Sequence, residues 1–264
     1  MKKNSILIAS LLVVVSVVAY AFTAVEPVEA EAIKTAEPIT KSINTVAEAP
    51  KKVDFYFNLS PRFQPMKRSD LLRARKFQDF ITPDLQDKIK KYYSVRVMEM
   101  ESDAVIGAIH NGSGYELNQY QLDFLSSRPL STNLKISSEY LWYNEERGIT
   151  EDGYATPHMT IVPEIQAMPD MGKEALIAQF RTNSAHLFKD VNEQKLSFAK
   201  WYFTVDTKGK LKNIWLDRSC GYPEIDQHVK ELLEASSGQW SPAIDMNEKM
   251  VEQELTLSFG KMGC

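Results

Sequence analysis

The stretch WYFTVDTKGKLKNIWLDRSCGYP, from Trp201 to Pro223, decides the fold of this chain. Two alternating apolar runs flank Thr207–Lys210, a polar segment that contains a glycine, and this pattern predicts a β-hairpin. Pro223 suits the first turn of a helix, and apolar residues recur after it at helical spacing as far as Leu233. The alternating run Met250–Phe259 predicts a strand. The stretch therefore predicts a hairpin that a helix covers and a last strand completes.

An amphipathic stripe lies upstream of the hairpin, from Gly172 to Leu187, and predicts one more helix. The order helix, β-hairpin, helix, β-strand is typical of a small two-layer sandwich, in which the helices cover one face of a sheet. We therefore predict an α+β domain over residues 166–264.

The same region resembles the C-terminal domain of the TonB energy-transducer family. The resemblance rests on an ordered set of residues at the hairpin exit, at the helix start and before the last strand: Ser219, Gly221, Ile225, Asp226, Trp240, Pro242 and Ala243. The chain departs from the family pattern at Cys220, and at Asn247-Glu248, where the family usually has a glycine. An asparagine at positive φ still permits a tight turn there.

The resemblance implies a partner and a mode of binding. In the family, the last strand lies at the edge of the sheet and pairs with a short segment of an outer-membrane TonB-dependent receptor. The anchor of the transducer couples to a proton-driven motor complex in the inner membrane. Carried over to this sequence, the edge strand is Val251–Ser258, and the partner-binding residues on it are Val251, Gln253, Leu255 and Leu257. The resemblance implies no cofactor.

Residues 1–25 predict export. After Lys2 and Lys3, the run Ile6–Val25 carries no charge. Two interpretations stay open: a membrane anchor, or a signal peptide cleaved after Ala19-Tyr20-Ala21. The anchor places the protein in the inner membrane facing the periplasm, and cleavage leaves it soluble in the periplasm or secreted. The run lacks the ionisable residue that the family's anchor commonly directs at the motor.

Residues 26–52 predict a linker, because they are rich in Glu, Ala, Pro, Thr and Lys and contain almost no large apolar side chain. Residues 53–165 predict a second α+β region. Its helical patterns cover Leu71–Phe80, Leu85–Tyr92 and Leu117–Leu125, and its strand patterns cover Ser94–Met100 and Ala104–His110.

The second region also shows a sign of internal repetition. Ser113–Gln119 parallels Cys220–Gln227 when Pro223 is skipped, and the segments that precede the two glycines have equal length. One interpretation is a degenerate tandem of two TonB-like units, with Ala155–Pro163 as the counterpart of the last strand. The other is an unrelated α+β domain with a chance match.

The two cysteines of the chain, Cys220 and Cys264, would both be exported into an oxidising compartment. A disulfide between them would fasten the last strand to the hairpin exit, and two unpaired thiols are the alternative. Trp201, Trp215 and Trp240 are expected in the core of the sandwich rather than on a binding platform, because large aromatic side chains usually fill the core of a small domain.

Catalytic and nucleic-acid chemistry find little support in the sequence. A net charge of −4 gives no basic excess for nucleic acid. The histidines are not at metal-ligand spacing, and the acidic residues Glu145, Glu146, Glu151 and Asp152 suggest a solvated loop. We therefore expect a protein without enzymatic activity, metal or cofactor: a TonB-like protein-binding module in outer-membrane transport. The alternative is a cleaved periplasmic or secreted structural or interaction protein with this fold and no proton-motive coupling.

Overall fold

The computed structural model describes residues 55–189 and 191–261, which form a mixed α+β fold. The strands are β1 (Tyr56–Ser60), β2 (Gln64–Lys67), β3 (Ile89–Glu101), β4 (Ala104–Ser113), β5 (Asn133–Asn144), β6 (Ile149–Ala155), β7 (His158–Val162), β8 (Met168–Pro169), β9 (Phe198–Val205), β10 (Leu211–Arg218), β11 (Trp240–Ser241), β12 (Ala243–Ile244), β13 (Met250–Val251) and β14 (Gln253–Gly260). The helices are α1 (Arg68–Arg73), α2 (Pro83–Lys88), α3 (Gln119–Ser127), α4 (Lys173–Ser184) and α5 (Pro223–Ala235), with a 3₁₀ turn at Phe77–Phe80.

One sheet contains both ends of the described chain. Its strands are antiparallel, in the order β1-β14-β9-β10. Apolar residues on one face of this sheet, including Phe203 and Leu257, share a core with Phe180 of α4 and Val229 of α5. We call β1 together with the described residues from 165 onward the split lobe, since residues 61–197 separate β1 from β9, the next strand of its sheet.

The second sheet belongs to the intervening residues, 64–162, which we call the inserted lobe. Its strand order is β2-β7-β5-β3-β4, and β6 pairs with the part of β5 that β7 leaves free. Its own core contains Phe77, Leu125 and Ile136. The two lobes therefore have separate hydrophobic cores.

Both sheets contain the same three-stranded arrangement. In the inserted lobe the order is β4-β3-β5, in the split lobe it is β10-β9-β14, and all four pairings are antiparallel. In each lobe a hairpin is followed by a helix, α3 or α5, and then by the strand that pairs with the first arm of the hairpin. The expected counterpart of the last strand, Ala155–Pro163, is therefore wrong, because β5 at residues 133–144 holds that position.

The predicted elements are confirmed more fully in the split lobe than in the inserted lobe. The hairpin and both helices of residues 166–264 lie where the sequence patterns place them, whereas the predicted strand Met250–Phe259 is divided at Glu252 into β13 and β14. In the inserted lobe, the predicted helix Leu85–Tyr92 is wrong beyond Lys88, since strand β3 begins at Ile89, and the predicted helix Leu71–Phe80 is divided by Ala74. The segment Tyr56–Ser60, assigned by sequence to the second region, pairs instead with β14.

Candidate functional site

The residues of the family motif hold the hairpin exit against helix α5. The buried carboxylate of Asp226 accepts hydrogen bonds from the Ser219 hydroxyl and from the Cys220 backbone N–H, at 3.1 Å for the latter. Gly221 has a φ of 91°, and a Cβ there would lie 2.7 Å from the carbonyl oxygen of Lys195. The glycine is therefore required by backbone conformation and by close approach.

The remaining residues of the motif pack in or beside the core of the split lobe. Ile225 and Ala243 lie in the core of the split lobe, and Trp240 packs edge-on against Phe203 at 5.4 Å between ring centroids. The Trp240 indole N–H donates to the Ser236 hydroxyl at 3.2 Å. Pro242, partly buried, separates the short strands that contain Trp240 and Ala243. The motif thus specifies the fold and leaves the position of a binding site open.

The prediction that the last strand is an exposed edge is wrong. Strand β14 lies between β9 and β1, and Tyr56 to Ser60 pair antiparallel with Gly260 to Thr256. The pairing is favourable because Phe57 and Leu59, which alternate along β1, are buried in the core beside it. The chain itself thus supplies, as β1, the neighbouring strand that the resemblance assigned to a partner.

None of the four predicted partner-binding residues is free to contact an added strand. Leu255 and Leu257 lie in the hydrophobic core. The side chain of buried Gln253 accepts a hydrogen bond from the Ala167 backbone N–H at 2.7 Å. Val251 belongs to β13, which pairs with β12. All four residues therefore stabilise the split lobe.

Cys220 is fully buried, and burial raises the pKa of its thiol to about 12. The thiol is therefore protonated at neutral pH and is a poor nucleophile. Cys264, its predicted disulfide partner, lies outside the described residues.

The tryptophans divide into two groups. Trp201 and Trp240 are buried in the core, as expected, whereas Trp215 is 44% exposed and the prediction for it is wrong. The register of the hairpin explains the difference, because Trp215 pairs with Tyr202 on the face of the sheet that the helices do not cover. The indole stacks on the buried Tyr202 ring, with centroids 4.5 Å apart and planes 6° from parallel.

The face that contains Trp215 is polar and turns toward the inserted lobe. Arg62 lies at this junction, with a side chain only 3% exposed, and donates to the Asp103 carboxylate at 2.8 Å. The Arg62 guanidinium also lies over the Tyr202 ring at 5.3 Å, and Arg218 lies 3.7 Å from Asp103. The hydrogen bond from Arg62 lowers the pKa of Asp103. These contacts fasten the tip of the β3–β4 hairpin to the split lobe.

A cleft of about 390 Å³ opens beside this junction, with walls from both lobes. Its apolar lining comes from Met100 and Ile106 of the inserted lobe and from the Tyr202–Trp215 stack of the split lobe. Two depressions of 530 and 500 Å³ lie elsewhere on the inserted lobe. In those two, the acidic side chain is either fully exposed, as is Glu116, or already hydrogen-bonded, as is Asp79. The cleft between the lobes is therefore the strongest candidate for a binding site.

Glu254 gives this cleft an unusual charge. Its backbone N–H donates to the Ser131 hydroxyl at 3.1 Å, but its carboxylate takes part in none of the hydrogen bonds or ion pairs found within residues 55–189 and 191–261. Burial raises the pKa of Glu254, and the Arg62 guanidinium partly offsets this rise. The sequence placed Glu254 on the predicted edge strand Val251–Ser258 and did not indicate that its carboxylate is partly buried.

The histidines and the acidic residues 145–152 do not form a shared site among the described residues. His110 packs on Phe124 and His158 on Phe63, while the rings of His186 and His228 lie 5.5 Å apart. The predicted acidic loop is wrong for Glu151 and Asp152, which lie on β6; Glu145 pairs with Lys88, and Glu151 pairs with Arg147. In the part of the chain that the structure describes, no three metal-ligating side chains cluster.

No family model, curated protein or solved structure matches this chain. Among the described residues, none of the helices has both the length and the apolar composition needed to span a membrane. The predicted anchor or signal peptide, Ile6–Val25, lies outside those residues, as does the predicted linker 26–52.

Proposed function

We propose that the protein is an exported binding module made of two TonB-like units, without enzymatic activity, and that its partner binds in the cleft between the lobes. The observation that carries the proposal is the composition of that cleft, in which an open aromatic surface and an unpartnered carboxylate lie together. Protein-binding and ligand-binding sites commonly combine an apolar wall with a few polar groups that fix orientation.

Two features support a tandem of related units beyond the shared strand order. Gly114 and Gly221 both follow the hairpin, and both have positive φ, at 69° and 91°. Each lobe also uses a buried polar side chain near the start of the following helix to hold the hairpin. Gln121 donates to the Val95 and His110 carbonyl oxygens, and Asp226 accepts from the hairpin exit in the split lobe.

The closed edge of β14 favours an interaction protein without proton-motive coupling over an energy transducer. An outer-membrane receptor segment would meet β14 already paired with β1 from Thr256 to Gly260. The resemblance implies the receptor and the inner-membrane motor as partners. Binding of the receptor to β14 would therefore require β1 to leave the sheet first. In the proposed function β1 stays, and the partner contacts Trp215 and Ile106 instead.

Site-specific photo-crosslinking in the native host tests the position of the site. A photoreactive phenylalanine analogue replaces Ile106 at the cleft or, as the control, Ile149 on β6; the two isoleucines are exposed to a similar degree, 36% and 42%. We expect a defined crosslinked product from position 106 that Trp215→Ala abolishes. Equal products from both positions, or a product at 106 that is indifferent to Trp215, would show that the partner binds elsewhere.

Membrane partition tests the exported, uncoupled form. We expect a soluble mature protein that begins after Ala21, found by N-terminal sequencing of the periplasmic fraction. Recovery of intact Met1 in the inner-membrane fraction would instead support the anchored form.

A further inference from the structure

Glu254 has a partly buried carboxylate that forms no ion pair within residues 55–189 and 191–261. Two other acidic residues near the junction are paired: Asp103 with Arg62 at 2.8 Å, and Glu99 with Arg128 at 2.7 Å. An ionised carboxylate that loses hydration without gaining a partner lowers the stability of the folded protein. Such a group is retained most readily where a ligand supplies the missing charge.

The free charges of the cleft have one sign. Arg62 lines the cleft, where its buried guanidinium donates to Asp103 and lies over the Tyr202 ring, while its Nε has no hydrogen-bond partner among the described residues. Glu101, at the rim, is exposed and belongs to none of the ion pairs of the described residues. Because the Arg62 charge is paired with Asp103, the two unpaired carboxylates of the cleft, Glu101 and Glu254, favour a cation there.

Trp215 supplies a surface suited to such a ligand. The indole is held flat against Tyr202, so that one face of the stack is fixed and the other is open to the cleft. Indole rings attract ammonium and guanidinium groups and pack against their aliphatic stems. Trp215 and Glu254 share a sheet face two strands apart, or about 10 Å in the direction across the strands.

Tyr202 adds an observation that does not depend on charge. Its side chain is 2% exposed and lines the cleft, yet its hydroxyl has no hydrogen-bond partner among the described residues. A buried hydroxyl without a partner costs free energy, so the site holds unused capacity to bond a polar ligand atom.

We infer that the cleft binds a lysine or arginine side chain of an extended peptide segment, with the apolar stem on Trp215 and the cationic end at Glu254. This inference rests on the proposed function and specifies its ligand. The shared chemistry, a cation on an aliphatic stem, also describes a free diamine, so the test must separate the two sources.

The test is a titration of the full chain followed by tryptophan fluorescence. The probes are a blocked pentapeptide with a central lysine, the same peptide with acetyl-lysine, the same peptide with glutamate, and free cadaverine. We expect the lysine peptide to bind, the acetyl-lysine and glutamate peptides to bind at least about tenfold more weakly, and cadaverine to bind more weakly than the lysine peptide because it lacks backbone groups.

Substitutions at Glu254 and Trp215, with a matched control at Glu252, test whether these two side chains bind the lysine peptide. Glu254→Gln should weaken binding of the lysine peptide about tenfold, whereas Glu252→Gln, which changes an exposed glutamate two residues away that pairs with Lys212, should change it less than twofold. Trp215→Phe should remove the fluorescence response and, with the smaller ring, weaken binding measured by calorimetry.

The outcomes separate the inference from the function on which it rests. If the acetyl-lysine or glutamate peptide binds as well as the lysine peptide, and Glu254→Gln has no effect, the cationic ligand is wrong while the cleft remains a binding site. If cadaverine binds as tightly as the peptide, the ligand is a free amine rather than a peptide side chain. If no probe binds and position 106 yields no crosslink, both proposals fall.

Discussion

The two lobes contain the same three-stranded arrangement but close its outer edge in opposite ways. In the inserted lobe, β5 is covered by β6 and β7, which follow it directly in sequence, and the residues of β6 are largely exposed. In the split lobe, β14 is covered by β1, whose alternate side chains are buried in the core. The comparison shows that pairing an edge and stabilising a core are separable tasks: β1 performs both, as does β7 through Met159 and Ile161, whereas no residue of β6 is buried.

The largest expected effect tests this difference directly. Phe57 is 5% exposed and its ring lies 5.8 Å from that of Phe259, so Phe57→Ala should lower the free energy of unfolding by about 3 to 4 kcal/mol. The matched change on the other closing strand, Tyr154→Ala, removes a side chain that is 77% exposed and should cost less than about 0.5 kcal/mol. Urea unfolding of each variant measures both. Similar losses would mean that the two strands contribute equally.

The second prediction concerns the two glycines at the hairpin exits. Gly114→Ala should cost about 1 to 2 kcal/mol, because φ is positive but no atom lies within 4 Å of the added Cβ. Gly221→Ala should cost about 3 kcal/mol, because the added Cβ also meets the Lys195 carbonyl oxygen. Thermal unfolding of the two variants gives the order. If Gly114→Ala is the more damaging change, backbone conformation rather than the close contact dominates at these turns.

The third prediction concerns a substitution that weakens the contact between the lobes. Asp103→Asn should cost about 1 kcal/mol, because Arg62 loses its partner while the carboxylate that is removed was largely exposed. Since Arg62 lowers the pKa of Asp103, this contribution is present above the pKa of the unfolded chain and is lost as pH falls through the folded pKa. The difference between wild type and variant should therefore vanish in acid. The exposed Asp87→Asn of α2 is the control, and an equal loss there would remove the special role of Asp103.

The smallest expected effect is an increase in thermal stability when Glu254 is replaced. Because the folded pKa of Glu254 is raised, its ionisation opposes folding, and Glu254→Gln should raise Tm at pH 7 by about 1 to 3 °C after allowance for partial solvent screening. The wild type regains stability as pH falls through the folded pKa, so the gain should disappear near about pH 4. Glu252→Gln should not show this pattern. A variant less stable than wild type at pH 7 would mean that Glu254 has a stabilising partner.

Local patterns predicted the split lobe well because its elements follow one another in sequence. The hairpin turn, the proline at the start of α5 and the alternation of β14 each act over a few residues. The strand β1 also alternates, with Phe55, Phe57 and Leu59 apolar, and this signal was available. The sheet that β1 joins could not be predicted, because a period-two pattern does not indicate which of two sheets a strand joins.

The candidate site was harder to predict because it is assembled from distant segments. Arg62, Ile106, Trp215 and Glu254 come from four separate parts of the chain and meet only in the packed lobes. Sequence alone also left the face of Trp215 undetermined, since the hairpin has irregular register between Lys212 and Trp215. A shift of one residue in a strand exchanges the core face for the outer face.

The split of one lobe across the sequence has a consequence for the order of folding. Thr256 in β14 pairs with Ser60 in β1, so this sheet cannot be completed until almost the whole chain is available. The inserted lobe is continuous in sequence, and its first and last strands, β2 and β7, are neighbours. Once folded, it brings its two ends close together and replaces a long loop with a short connection, which reduces the entropy lost on closure. We therefore expect the inserted lobe to fold before β14 pairs with β1.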